Sequence, residues 1–207
     1  MTDALADFIV WHNFPGLAAS TAQRHADNTL FPFQRVSVFH KIKFTNQNLD
    51  AGIVDALHIQ PLTHNQQGSI PGRFDTVLVK NGTKFWVVQI RAVFQLPRSA
   101  VSSIFLSSRP APTDLVYVEW ISPLSSPPDN SHGMYWVSRI HHNGRRLASI
   151  IPLTEVCRSV QLLPVFGRVV PQNWQSSTVL EECHTFYVNP FIDRHMYYNL
   201  NVIKDNF

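Results

Sequence analysis

Hydrophobic and polar positions alternate with a period of two along much of this chain. In residues 36–44, Val36, Val38, Ile42 and Phe44 fall on one face, a pattern typical of a half-buried β-strand. Short apolar runs bounded by turn residues predict further strands at residues 54–59, 76–80, 84–94, 116–121, 134–140, 148–151, 159–164, 185–188 and 195–200. Many short strands separated by turns predict a mainly β, antiparallel fold of the barrel or sandwich type.

Turn residues indicate how some of these strands pair. Asn81 and Gly82 separate two apolar runs, and Asn-Gly in that position is the strongest short-range signal for a β-hairpin. Asn143 and Gly144 predict a second turn, and residues 152–154 predict a single helical turn. The intervening stretches rich in serine, proline or glycine are predicted as loops, at residues 64–72, 97–112 and 122–133.

The N-terminal segment has the least regular pattern. Its apolar run at residues 8–11 is followed by Pro15 and Gly16, which interrupt regular structure, and residues 18–28 predict at most a brief helix. We therefore expect an irregular N-terminal extension, residues 1–38, packed on a β domain formed by residues 39–207.

Length and composition are those of a globular protein inside the cell. The 207 residues and ordinary hydrophobic content allow one large domain with a sizeable core. No apolar run approaches the ~20 residues that cross a bilayer, and the N-terminus carries acids where a signal peptide carries positive charge. The two cysteines, Cys157 and Cys183, are expected to be reduced thiols.

Positive charge is concentrated in the middle of the chain, between Arg73 and Arg168, although the net charge is only +3. A basic surface attracts phosphate groups or acidic proteins. The alternative is that these charges form a solvated face that only keeps the protein soluble. It stays open because no contiguous run of like charges occurs. The candidate phosphate-binding residues are Arg91, Arg98, Arg109, Arg139, Arg145 and Arg146.

The motifs of common enzyme classes are absent from the sequence. There is no G-x-S-x-G nucleophile elbow, no P-loop and no G-x-G-x-x-G. The adjacent pairs His141-His142 and Cys183-His184 do not favour a metal site, because neighbouring side chains on a strand point to opposite faces. We expect no catalytic residues, no metal and no cofactor.

The order of the strand blocks resembles the bromo-adjacent homology (BAH) domain, a β-barrel module of chromatin proteins. The blocks FWVVQI, VEWI, IPLTEV and FYVNPFID occupy the places of that family's characteristic strands, at residues 85–90, 118–121, 151–156 and 186–193. This resemblance implies a BAH-like antiparallel β-barrel and a nuclear location.

A second resemblance extends from residue 32 onward. The segments PFQRVSVFHKIKF, PGRFDTVLV, YVEWISPL, SIIPLTEVCRSVQLLPVFG and FYVNPFIDRHMYYNL look like the C-terminal region of the Plavaka-type transposase-like proteins of mushroom-forming fungi. The large nuclease portion of such proteins does not precede it here. The resemblance therefore implies a detached or domesticated end module rather than a transposase.

Some BAH domains hold a methylated lysine in a cage of aromatic rings, through cation–π attraction. The matching positions are Trp86, Trp120, and Tyr135 or Trp136, although aromatic residues on barrel strands are more often core residues. The expected function is thus a non-catalytic module that binds nucleic acid or chromatin, such as a histone tail. The alternative is a protein–protein interaction module that docks a peptide, or an acidic protein, on surface aromatics. No membrane partner is expected.

Overall fold

Antiparallel β-sheets dominate the structure, a computed structural model that describes residues 1–45, 54–65, 68–82, 84–106, 109–124, 127–191 and 196. Of these residues, 42% lie in strands and 21% in helices, so the prediction of a mainly β protein is confirmed. Within the described residues, the helices are α1 (Thr2–Asn13), α2 (Ala19–Asp27), α3 (Arg98–Ile104) and α4 (Val179–Glu182), with a 3₁₀ turn at Leu153–Glu155.

The strands of the described residues are mostly short. In chain order they are β1 (Ser37–Phe39), β2 (Lys41–Thr45), β3 (Val54–Gln60), β4 (Thr63–Asn65), β5 (Gly68–Ile70), β6 (Arg73–Phe74), β7 (Thr76–Asn81), β8 (Lys84–Gln95), β9 (Asp114–Pro123), β10 (Tyr135–Ser138), β11 (His141–His142), β12 (Arg145–Arg146), β13 (Ala148–Pro152), β14 (Val156–Ser159), β15 (Leu162–Pro164) and β16 (Thr185–Val188).

The largest sheet has the order β13-β9-β8-β7-β14, and β1 also pairs with β8. Its central hairpin, β7–β8, is the one predicted from Asn81-Gly82, but Asn81 ends β7 and pairs with Lys84, so the turn begins at Gly82. Gly82 has a φ of +63°, which glycine adopts at no steric cost. The smaller sheets are β10-β16-β15, β2-β3-β6, β4-β5 and β11-β12. Among the described residues no sheet closes on itself, so the predicted barrel is not established.

Both faces of the β7–β8 hairpin are buried. Val77 and Val79 point into one core cluster, whereas Leu78 points into another, which explains why these strands are continuously apolar rather than alternating. The second cluster also receives Tyr135, Val137, Phe186 and Val188, from one face of β10 and β16. The sheet β10-β16-β15 therefore buries one face and presents the other outward.

The N-terminal segment is helical, which corrects the expectation of an irregular extension. On α1 the buried residues are Leu5, Ala6, Ile9 and Val10, a spacing of one helical turn between successive pairs. Leu5 and Ile9 pack with Phe94 in a third core cluster. Pro15 does not interrupt α1, because α1 ends before it at Asn13.

Other local predictions need correction. The predicted loop at residues 97–112 contains helix α3, and the one at 64–72 contains parts of β4 and β5. The predicted strand at 159–164 is two strands, since β14 pairs with β7 and β15 with β16. The strand predicted at 195–200 lies outside the described residues, except for Met196.

Two further sequence expectations concern the cysteines and the membrane. Cys157 and Cys183 are both free thiols, as predicted, the first half-buried and the second buried. No helix in the described part of the chain has the length and apolarity to cross a membrane.

Candidate binding site

Strands β10 and β16 carry aromatic rings on their outward face. Because side chains alternate along a strand, the burial of Tyr135 and Val137 turns Trp136 outward, and the burial of Phe186 turns Tyr187 outward. Trp136 and Tyr187 are directly opposite each other in the register. Trp136 keeps 42% of its surface exposed. Because its cross-strand partner Tyr187 is also aromatic and points the same way, this face is a candidate contact surface.

The rings on this face stand perpendicular to one another. The ring centroids of Trp136 and Tyr187 are 5.3 Å apart at an interplanar angle of 87°. The His132 ring meets the same Tyr187 at 4.5 Å and 76°. We call His132, Trp136 and Tyr187 the aromatic face. Perpendicular ring pairs are a favoured packing geometry of aromatic side chains, and grouped ring faces are what aromatic cages use to bind a cation.

A tight turn between β9 and β10 fixes His132 and places a carboxylate beside it. Gly133 N donates to Asp129 O at 2.8 Å, and Asp129 N donates to Met134 O at 2.9 Å. Met134 N donates to His132 Nδ1 at 3.2 Å. Nδ1 is therefore the acceptor nitrogen, so the proton of neutral His132 lies on Nε2, which is 3.5 Å from Asp129 Oδ1.

Gly133 shapes the same turn for two reasons. Its φ is +68°, and a Cβ at this position would lie 3.3 Å from Cζ of Phe191. The exposed ring of Phe191 thus borders the turn that carries His132. A larger residue at position 133 would both strain the backbone and displace that ring.

Asp129 supplies negative charge at the edge of the aromatic face. Its side chain is well exposed, and the hydroxyl and backbone N–H of Ser131 hold the pKa of the carboxyl below its usual range. The backbone N–H and the hydroxyl of Ser131 both donate to Oδ1 of Asp129, and Nε2 of His132 lies 3.5 Å from the same oxygen. A carboxylate next to ring faces attracts a cation, and it does so at any pH above its lowered pKa.

The predicted aromatic cage does not assemble as a unit. Tyr135 is only 5% exposed and belongs to the core, so its assignment to a cage is wrong. Trp86 and Trp120 form a separate perpendicular pair, 5.5 Å apart and half-buried against another core cluster. The indole N–H of Trp120 donates to Ser149 Oγ at 2.7 Å. Of the predicted residues, Trp136 alone lies on the aromatic face.

Sequence reasoning missed the partners of Trp136. Tyr187 was recognisable as the outward residue of an alternating strand, but its register opposite Trp136 depends on a pairing between segments 50 residues apart in sequence. His132 and Asp129 lie in the serine- and proline-rich stretch at residues 122–133, for which the sequence predicts only a loop. The spacing of Asp129 and Ser131, typical of an Asx turn, was the available signal.

Three of the six candidate phosphate-binding arginines are engaged inside the protein. Arg91 donates to Glu181 Oε1 at 2.7 Å and to Glu119 Oε2 at 2.8 Å. Arg146 donates to Glu119 Oε2 at 3.0 Å and also to Glu181. These residues and Arg139 form a carboxylate–arginine cluster between β8, β9, β12 and α4.

Arg139 is the most deeply placed member of this cluster. Its side chain is only 1% exposed, and it donates to Gln89 Oε1 at 2.9 Å and to the carbonyl oxygen of Leu180. Burial lowers its pKa to about 10, so it remains charged at neutral pH. This burial corrects the expectation that Arg139 contacts phosphate from the surface.

The other three candidate arginines are exposed but widely separated along the chain. Arg98 begins α3, Arg109 follows that helix, and Arg145 lies at the tip of the β11–β12 hairpin. Asn143 and Gly144 form this turn with positive φ angles, as predicted. Arg145 faces His142 across the hairpin, and the rings of His141 and His184 lie 5.6 Å apart nearby.

Within the described residues, no three histidine, cysteine, aspartate or glutamate side chains converge as a metal site. Comparisons with protein-family models, with curated proteins and with solved structures found no match to this chain. The function is therefore argued from the site alone.

Proposed function

We propose that this protein is a non-catalytic binding module that holds a cationic side chain of a partner peptide, a lysine or methylated lysine, on the aromatic face. The observation that supports this proposal is the perpendicular arrangement of Trp136 and His132 about Tyr187, with Asp129 beside it. Ring faces and a carboxylate together favour a positively charged group over a neutral or anionic one.

The energetics fit reversible recognition. A cation over an aromatic face contributes about 0.5–1 kcal/mol when exposed and about 2 kcal/mol or more when desolvated. The Asp129 carboxylate adds a charge interaction that salt weakens. One caged side chain therefore provides selectivity, and the remaining affinity comes from other contacts along the peptide.

A BAH-like barrel that reads chromatin is the more specific form of this proposal. Two features support it. The order of the strand blocks resembles that of BAH domains, and the aromatic face suits the lysine of a histone tail. The relation to Plavaka-type proteins and a nuclear location are parts of the same proposal.

Calorimetric titration with a short peptide tests the proposed function. The probe is acetyl-Gly-trimethyllysine-Gly-amide, and its control has a tert-butyl group in place of the trimethylammonium group. We expect the charged peptide to bind more tightly than the neutral analogue. Trp136→Ala should weaken binding of the charged peptide about tenfold, equivalent to ~1.4 kcal/mol.

Phe39→Ala is the matched control, because Phe39 is also 42% exposed and lies on β1, outside the aromatic face. This variant should bind the charged peptide as the unaltered protein does. Equal binding of the charged and neutral peptides, or an equal effect of Trp136→Ala and Phe39→Ala, would refute the proposed function.

Nucleic acid is the second candidate ligand, on the basis of the exposed hairpin tip. Arg145, His141 and His142 are all exposed there, and His184 lies beside them. Arg146 is held by Glu119 and Glu181, so Arg145 is the side chain available to phosphate. Binding of this kind weakens steeply as salt rises, with a slope of log affinity near −0.9 per contact for duplex DNA. Cage binding depends less on salt.

A further inference from the structure

Strand β13 forms one edge of the largest sheet. It pairs with β9 on one side, and no strand of the described residues pairs with its other side. Trp120 N donates to Leu147 O at 2.8 Å. The backbone groups of successive residues in an antiparallel strand point to opposite sides. Ser149 and Ile151 therefore bond to β9, as Leu147 does. The backbone groups of Ala148 and Ile150 therefore point toward the open edge.

A groove runs along this edge. Its cavity has a volume of about 370 Å³ and lies between the open edge and the two N-terminal helices. From the strand it is lined by Ala148, Ser149 and Ile150. Among the lining residues from α1 and α2 are Asp7, Phe8, Trp11 and Gln23. The groove thus combines an unpaired strand edge with an exposed tryptophan.

The charge of the groove is negative. Asp7 is the only charged residue among those that line it. Burial raises the pKa of Asp7, and the nearby carboxylates of Asp3 and Asp27 raise it further. Acids close enough to influence each other make this end of the protein attractive to a basic group, although the chain as a whole is positively charged.

We propose that an extended, basic segment of a partner protein docks in this groove by adding a strand to β13. The backbone of the segment would bond chiefly to half-buried Ala148, because Ile150 is only 4% exposed and packs with Leu5 and Ile9 of α1. Alternate side chains of the segment would face α1 and α2. A basic residue at those positions meets Asp7, and an apolar stem packs on Trp11. Strand addition of this kind draws affinity from the backbone and specificity from alternate side chains.

A second copy of this chain fits the groove less well. Symmetric pairing of two β13 edges would bring two Asp7 groups into the same interface, where like charges repel. The site is separate from the aromatic face, and neither proposal depends on the other.

The test uses the 207-residue chain with Trp136→Ala in place, which removes lysine binding on the aromatic face, and the peptide acetyl-Lys-Val-Lys-Val-Lys-amide, with binding measured by calorimetry. Two N-methylated versions remove backbone donors, one on the lysines and the other on the valines. Since only alternate residues of an added strand bond to β13, one methylated version should lose at least tenfold in affinity and the other should bind nearly as before.

Two substitutions probe the walls of the groove. Asp7→Asn and Trp11→Ala should each weaken peptide binding by about threefold or more, and Phe39→Ala, at a residue of matched exposure on β1, should leave it unchanged. The proposal is overturned if both methylated peptides bind as the parent does or if both lose affinity. It is also overturned if a glutamate version of the peptide binds equally well, or if the protein dimerises through this edge in sedimentation experiments.

Discussion

Glu181 accepts hydrogen bonds from two arginines, Arg91 and Arg146. Burial opposes its ionisation, but the two guanidinium groups outweigh burial and lower the pKa of the carboxyl to about 2. A folded-state pKa below the ordinary value of about 4.5 stabilises the fold at any pH above that ordinary value. This contribution is lost as pH falls from about 4.5 through 2.

Glu181→Gln should therefore lower the free energy of unfolding at pH 7 by about 1 kcal/mol, a figure reduced because the Glu181 side chain is 40% exposed. The variant should also lose less stability between pH 5 and 3 than the unaltered protein does. Urea unfolding at both pH values measures this. Glu182→Gln is the control, since its carboxylate bonds only to exposed Asn173 among the described contacts. Identical acid sensitivity in all three proteins would contradict the assignment.

The type of each residue predicted which contacts its side chain can make, but not whether that side chain is exposed to a partner. Trp136 and Tyr135 are neighbours of similar character, yet strand alternation exposes one and buries the other. The six arginines looked equivalent in sequence. Glu119 and Glu181 engage three of them only because β9 and α4 meet in the fold, a contact between segments about 60 residues apart that no local pattern encodes.

At the level of elements, hairpins were more predictable than helices. Asn-Gly pairs specify tight turns through backbone conformation alone, so both predicted turns are present. Helix α1 was not predicted, because the apolar run at residues 8–11 is short and is followed by the breakers Pro15 and Gly16. Its helical state depends on packing against the sheet, through Leu5 and Ile9.

Ile9→Ala tests whether α1 is integral to the fold. Ile9 is buried against Phe94 in the third core cluster, so its truncation should lower the free energy of unfolding by about 2–5 kcal/mol. Leu30→Ala, at a highly exposed residue, should change it by less than about 0.5 kcal/mol. Chemical denaturation followed by circular dichroism compares the two. Equal, small effects would mean that α1 does not contribute to the core.

For the whole molecule, the stacking of sheets decides which surface is offered to a partner. The hairpin β7–β8 is covered on both faces, and β10-β16-β15 covers one of them while turning Trp136 and Tyr187 outward. The mainly β, antiparallel class followed from alternation and turn residues. The layering did not, because it depends on long-range pairing between β10, β15 and β16.

Cation binding on the aromatic face is tested most directly by following the tryptophan indole N–H signals by NMR while the trimethyllysine peptide is added. Binding there predicts that the Trp136 signal, identified by its loss in Trp136→Ala, shifts progressively and saturates. The signals of Trp86 and Trp120 should stay in place, since their rings are packed against the core. If Trp86 and Trp120 shift and Trp136 does not, or if only duplex DNA causes changes and these lie at the Arg145 hairpin, the aromatic face is not the binding site.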